Sequence, residues 1–187
     1  MLVCAFSVAP SSFAKTTPFK NTGAHVHAGF WKAYLDMRPK MLDGLTKAFG
    51  ATGAKGVIVV GHSLGGAMAE VAALDLKTSY YPNKLFAAYT QGTPRSGDAA
   101  FAQLYSQQIS ASFREIHYAD VVPHLPPTFL GFQHSPTEVW YNEKWSSSTV
   151  CSGSSGEDST CADSLYVPAS VSDHLSYHGV DPGSCTD

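Results

Sequence analysis

Ser63 stands in Gly61-His62-Ser63-Leu64-Gly65-Gly66, a Gly-x-Ser-x-Gly pattern. A serine hydroxyl becomes a useful nucleophile when a base takes its proton and an acid holds that base in place, and the chemistry is then acyl transfer through a covalent serine intermediate. Candidates for both partners follow in the chain. Asp120 lies in Tyr118-Ala119-Asp120-Val121-Val122-Pro123-His124, and four of the eight histidines come after it: His124, His134, His174 and His178. His124 sits in a Pro-rich loop and reads as a structural or cleft-wall residue. His134 precedes an apolar run and reads as solvated. Spacing leaves the base open between His174 and His178. His25, His27 and His117 precede the acid, and His62 fills the free position of the Ser63 motif with its side chain expected to point away from Ser63. Asp173, beside His174, reads as a turn or helix cap. Taken alone, Gly-x-Ser-x-Gly also describes a small-residue turn in which Ser63 merely caps a helix.

The flanking elements argue for the nucleophile. Val57-Ile58-Val59-Val60 is a β-branched run, and Leu64 to Lys77 is a helical stretch apolar on nearly every side. A strand, a sharp turn and a helix put a serine hydroxyl at the end of a parallel sheet, with glycines letting strand and helix approach. Further strands are expected at Lys84–Thr90, Phe113–Tyr118 and Glu138–Tyr141. A helix bearing Phe101, Leu104, Tyr105 and Ile109 lies between the first two. Strands alternating with helices predict a mostly parallel central sheet with right-handed crossovers, flanked by helices, and the order Ser, acid, His is that of the α/β-hydrolase fold. Asp120 then emerges at the carboxyl end of its strand, on the same edge as Ser63. Earlier, Phe30, Tyr34, Met37, Met41, Leu45 and Phe49 form one helical stripe, with a kink or break expected near Leu35 to Arg38 because Pro39 removes a backbone donor. Residues 1–24 combine a short strand at Leu2–Val8 with a Pro/Ser/Thr/Lys-rich run, and Ser146 to Thr160 reads as a polar loop. A tetrahedral oxyanion needs donors worth about 3 kcal/mol each; the N–H of Leu64 is one, and no second donor is identifiable in residues 1–24.

Bulk properties narrow the function classes. A chain of 187 residues suits one domain, 1–187. With 14% charged residues, a net charge of −3 and no basic stripe, nucleic acid is not an expected partner. No apolar stretch approaches the roughly 20 residues needed to cross a bilayer. The four cysteines, Cys4, Cys151, Cys161 and Cys185, lack the close pairing of a zinc or thiol-redox site, so no metal and no cofactor is expected. Cys151 and Cys161 sit in a Ser/Gly/Thr-rich loop, where a disulfide worth roughly 2 to 3 kcal/mol is the favoured reading over surface thiols. That favours a secreted protein. Met1 to Ala14 has an apolar stretch but lacks the basic start of a signal peptide.

Five segments together resemble the class 3 lipases of fungi: Val26-His27-Ala28-Gly29-Phe30, the Ser63 motif, Gly92-Thr93-Pro94-Arg95-Ser96-Gly97-Asp98, Asp120-Val121-Val122-Pro123-His124-Leu125-Pro126-Pro127 and Asp173-His174-Leu175-Ser176-Tyr177. The resemblance covers residues 25–179 as a lipase-like core, with 1–24 atypical. It implies a serine ester hydrolase in which Ser63 is the nucleophile, Asp120 the acid, His174 rather than His178 the base, and Leu64 an oxyanion donor. It also implies a disulfide between Cys151 and Cys161, an acylglycerol or similar apolar ester as substrate, no cofactor, and a secreted monomer. Cys185 resembles half of a family disulfide, while Cys4 stands in the atypical segment. Three family features ahead of His25, namely a strand, a Gly-Thr or Gly-Ser turn and a helical lid, are not recognisable, so an N-terminally truncated fold with an open cleft is the expectation. The alternative reading is a lipase-like remnant that binds lipid or ester without efficient turnover.

Overall fold

The computed structural model describes residues 15–109, 111–151, 156–165 and 168–180. The strand expected at Leu2–Val8 lies outside them. The described chain opens with β1 (Thr16–Pro18) and β2 (His25–His27), which pair antiparallel and lead into the long helix α1 (Ala28–Thr52). His27 caps the start of α1, its side chain accepting from the N–H of Phe30, and Gly53 ends it in the left-handed conformation that glycine tolerates. Of the kink or break expected at Pro39, the break does not occur, and the helix runs through the proline. The proline itself is on the exposed side of the helix. The predicted stripe is also rotated: Tyr34 is buried, but Met37 is exposed, and Trp31, Leu35 and Leu42 join Met41 and Leu45 against the core.

Next come β3 (Gly56–His62), α2 (Leu64–Asp75), β4 (Leu85–Gln91), β5 (Gly97–Asp98), α3 (Ala99–Gln108), β6 (Ala111–His117), β7 (Phe132–Gln133), β8 (Glu138–Tyr141), β9 (Ser148–Val150) and the short helix α4 (Val171–His174). The central sheet has the order β3-β4-β6-β8-β9. Its first four strands are parallel, as the strand–helix alternation predicts, and β9 is antiparallel. The order advances in one direction without reversing. Right-handed crossovers in such a progression deposit their helices on one side. Accordingly α2 and α3 pack on a single face, with α1 against α2, and the core joins Val71, Leu74, Phe101 and Tyr105 to Phe86 and Ala88 of β4. On the other face Ile58, Val60, Leu85, Tyr89 and Phe113 remain exposed, the last two stacked as cross-strand neighbours.

Two features depart from the sequence reading. A second sheet, β1-β2-β5-β7, forms beside the start of α1, built from strands of two or three residues. Within the expected polar loop, β9 pairs with β8 and brings Cys151 to Cys161, whose disulfide is buried rather than on the surface. The backbone N–H groups of Cys151 and Ala162 donate to the carbonyl and the carboxylate of Glu138 respectively, so this bridge closes onto the end of the sheet. Glu138, Cys151 and Cys161 are the one grouping of three metal-type ligands among the described residues, but both sulfurs are already bonded to each other.

Candidate active site

The site begins where β3 turns into α2. Ser63 occupies that turn with φ 56° and ψ −129°, a backbone conformation costly for a residue with a Cβ atom. Its N–H donates to the Gln91 carbonyl on β4, which holds the turn in place. A Cβ added at Gly61 would lie 2.2 Å from the Gly65 carbonyl oxygen, and one at Gly66 would lie 2.1 Å from Thr93 Oγ1. The close approach of strand and helix therefore depends on these two positions. Gly65 has open space around its own Cβ position, and its part is the nearness of its backbone to Gly61. Leu64 opens α2, so its N–H has no intrahelical acceptor, and the positive end of the helix dipole falls beside Ser63.

Asp120 follows β6 and is fully buried. Its Oδ1 accepts from the N–H of Val122, and its Oδ2 accepts from the Tyr177 hydroxyl at 2.6 Å. Both carboxylate oxygens lie 3.0 Å from His174 Nδ1, and His174 Nε2 lies 2.8 Å from Ser63 Oγ. A ring nitrogen facing two carboxylate oxygens carries the proton, which leaves Nε2 as the acceptor for the Ser63 hydroxyl. The line of atoms from carboxylate to imidazole to hydroxyl is thus set for proton removal from Oγ. The short helix α4 places His174: Ser170 caps it by accepting from the N–H of Asp173, and the Asp173 carboxylate accepts from the N–H of Ala119 just ahead of Asp120. Asp173 is therefore a tie between the acid loop and the histidine loop rather than a cap.

The other three histidines that follow Asp120 are dispersed. His178 reaches Glu115 at 2.8 Å, and His124 Nδ1 reaches Asp163 at 3.2 Å. His134, expected in solvent, is instead 2% exposed, with Nε2 at 2.7 Å from the Pro123 carbonyl. Burial, with Arg114 and Arg95 nearby, holds its pKa well below the usual histidine value, so it is a neutral donor inside the fold.

Three supporting residues escaped the sequence reading. Tyr177 is buried, accepts from the N–H of His117 and donates to Asp120. Burial and the adjacent carboxylate push its pKa well up, which keeps the donor proton in place. Gly92 has a positive φ, and a Cβ there would come within 2.8 Å of Asp120 Oδ2 and 2.9 Å of His174 Nδ1. His62 lies against His174. The hints were Tyr177's place in the His174 segment, Gly92 at the head of another of the five segments, and His62 beside Ser63 with its side chain expected to point away. Beyond Gly92 the same turn is a mounting: Arg95 makes paired contacts of 2.8 Å to Glu157, Ser96 donates to Glu70 at 2.6 Å, and Asp98 caps α3.

This arrangement coincides with a family match: the model for class 3 lipases covers residues 5–130. The chain belongs to the class 3 lipase family. The lipase of Rhizomucor miehei is 38% identical over 168 residues, covering 88% of this chain and 46% of that protein. Secreted mono- and diacylglycerol lipase 1 of Fusarium solani is 37% identical over 129 residues, 69% of this chain and 38% of that one. Among solved structures, lipase II from Rhizopus niveus superposes with a TM-score of 0.86 at 33% identity, covering 92% of this chain and 66% of its own. This class 3 lipase chain thus spans about half the length of the curated relatives it matches, and the α/β-hydrolase fold is common to it and the superposed lipase.

Proposed function

We propose that this chain is a carboxylic ester hydrolase acting on acylglycerols or similar apolar esters. Ser63 attacks the ester carbonyl, His174 takes its proton and returns it to the leaving alcohol, and Asp120 orients His174 and stabilises its cationic form. The Leu64 N–H, at the start of α2, is the donor for the developing oxyanion. Water then releases the acyl group by the same steps in reverse order. The single observation that carries this reading is the unbroken contact series from Asp120 through His174 to Ser63, at 3.0 and 2.8 Å. The apolar ester comes from family membership and from the acylglycerol lipase named among the relatives. The disulfide and that relative's secreted nature support an extracellular site of action.

The test pairs a serine-directed alkyl phosphonate with a chromogenic acyl ester. The expected result is a stoichiometric adduct on Ser63, and loss of both adduct and ester release in Ser63→Ala. Ester release that survives in Ser63→Ala would overturn the reading. An adduct on Ser63 without ester release would instead make the chain an ester-binding protein with an activated serine.

A further inference from the structure

His62 precedes the proposed nucleophile, yet its side chain does its bonding on the far side of the histidine loop. Its ring lies over that of His174, with centroids 4.6 Å apart and planes inclined by 31°. Its Nε2 is 2.8 Å from the His174 carbonyl oxygen, and the Tyr177 ring meets it edge-on at 5.4 Å. His174 ends a helix of four residues, so its carbonyl finds no donor further along the helix and takes one from β3 instead. Asp120 contacts the His174 ring at Nδ1 and Ser63 contacts it at Nε2, so the swing left to the ring is rotation of its plane about the line joining those two contacts. The His62 ring blocks this swing on one face.

We propose that His62 is a positioning residue: as a neutral imidazole it donates Nε2–H to the His174 carbonyl and backs the His174 ring, so that Nε2 of His174 stays on Ser63 Oγ. Charged and titratable groups facing it are His174 itself, Asp120 and the Tyr177 hydroxyl. Burial lowers the pKa of His62, and the neighbouring His174 acts in the same direction. The neutral form suits the mechanism, since proton transfer from Ser63 makes His174 a cation and a second cation stacked on it would oppose that step.

The inference rests on Ser63 being the nucleophile, and its test reads the activation of Ser63 directly, as the rate and half-saturating concentration of phosphonate labelling. His62→Gln places an amide N–H where Nε2 was and is expected to label within about threefold of the unsubstituted chain. His62→Phe keeps a ring but loses the donor and is expected to label roughly 10- to 30-fold more slowly, the range of one lost hydrogen bond to a group that must stay in register. His62→Ala loses both and is expected to be slower still. In all three the half-saturating concentration stays within about twofold, because none of them lines the substrate. If His62→Phe does not fold by circular dichroism, His62→Tyr, which also keeps a ring and places no donor at the Nε2 position, carries the same expectation. Labelling of His62→Phe at the unsubstituted rate overturns the proposal. So does His62→Gln falling to the level of His62→Ala, or a loss that appears only in the half-saturating concentration. If the unsubstituted chain itself gives no Ser63 adduct, the ester-hydrolase reading is what fails.

Discussion

On β3, Val57 and Val59 pack toward α1 and α2, whereas Ile58 and Val60, one residue along in each case, stand 66% and 73% exposed. The same alternation continues on β4, where Phe86 and Ala88 are buried and Leu85 and Tyr89 are not. Both faces are apolar in sequence, so composition does not separate them. What differs is the layer above. The helix-bearing face meets α1, α2 and α3, while on the opposite face the described chain returns at the carboxyl end of the strands, where residues 143–145 meet α4 and residues 175–180. That returning segment is short, and it is held by directional polar contacts: Tyr177 to Asp120, Asp173 to Ala119, His62 to the His174 carbonyl, His178 to Glu115. One face is held by area, the other by hydrogen bonds together with a local cluster of rings in which His117, Trp145 and Tyr177 meet His62 and His178. The lesson is that the candidate site sits on the side that α1, α2 and α3 do not cover, in a buried patch where single polar atoms position the groups.

Substitutions can break this comparison at three levels. The largest effect is expected at the polar end. Asp120→Asn keeps the shape but removes the negative charge and offers an amide N–H donor that favours the wrong His174 tautomer, so Ser63 labelling should slow on the order of 10³- to 10⁴-fold with little change in thermal midpoint. A loss below tenfold would show that the carboxylate is not what holds the imidazole.

An intermediate effect belongs to the helix-bearing face. Glu70 on α2 is buried, and desolvation raises its pKa to about 7 against the opposing pull of Ser96 and Arg114. A carboxyl raised in the folded state contributes its full stability below its unfolded value near 4.5 and loses it as pH rises through about 7. Stability should therefore fall by on the order of 3 kcal/mol from this group between those limits. In Glu70→Gln that slope should vanish. Urea midpoints at acid and mildly alkaline pH measure it, and parallel slopes in the two proteins would contradict the assignment.

The smallest effect is expected on the uncovered face. Val60→Thr should change stability by less than about 0.5 kcal/mol, since the side chain is exposed in the folded and unfolded chain alike. A loss above 1 kcal/mol would mean that this face is covered in solution and would erase the contrast between the two sides.

Much of the site was legible because it depends on local features. The β-branched run, the glycines around Ser63 and the apolar helix behind it describe one strand–turn–helix, and Asp120 is placed by ending the next strand but one. His174 and His178 could not be separated this way. They lie four residues apart in one segment, and only the position of α4 turns His174 to Asp120 while His178, at φ 52°, goes to Glu115. His134 was misread because the groups that bury it, Arg114, Glu157 and the Pro123 carbonyl, come from distant parts of the chain. β5 and β7 were missed since two residues carry no alternation to read, and Pro39 was over-weighted because the sequence does not say which side of a helix faces water.

By itself the sequence determined the strand-and-helix order, the turn that strains Ser63 and the identity of the groups able to move a proton, all of which follow from steric and periodic rules acting over a few residues. Tertiary structure decided what residue spacing could not: that His174 rather than His178 meets Asp120 and Ser63, that Tyr177, Gly92 and His62 surround it, and that the described residues leave much of one sheet face exposed. These depend on atoms brought together across 54 to 112 positions of chain by crossover direction and packing, and no local pattern encodes that distance.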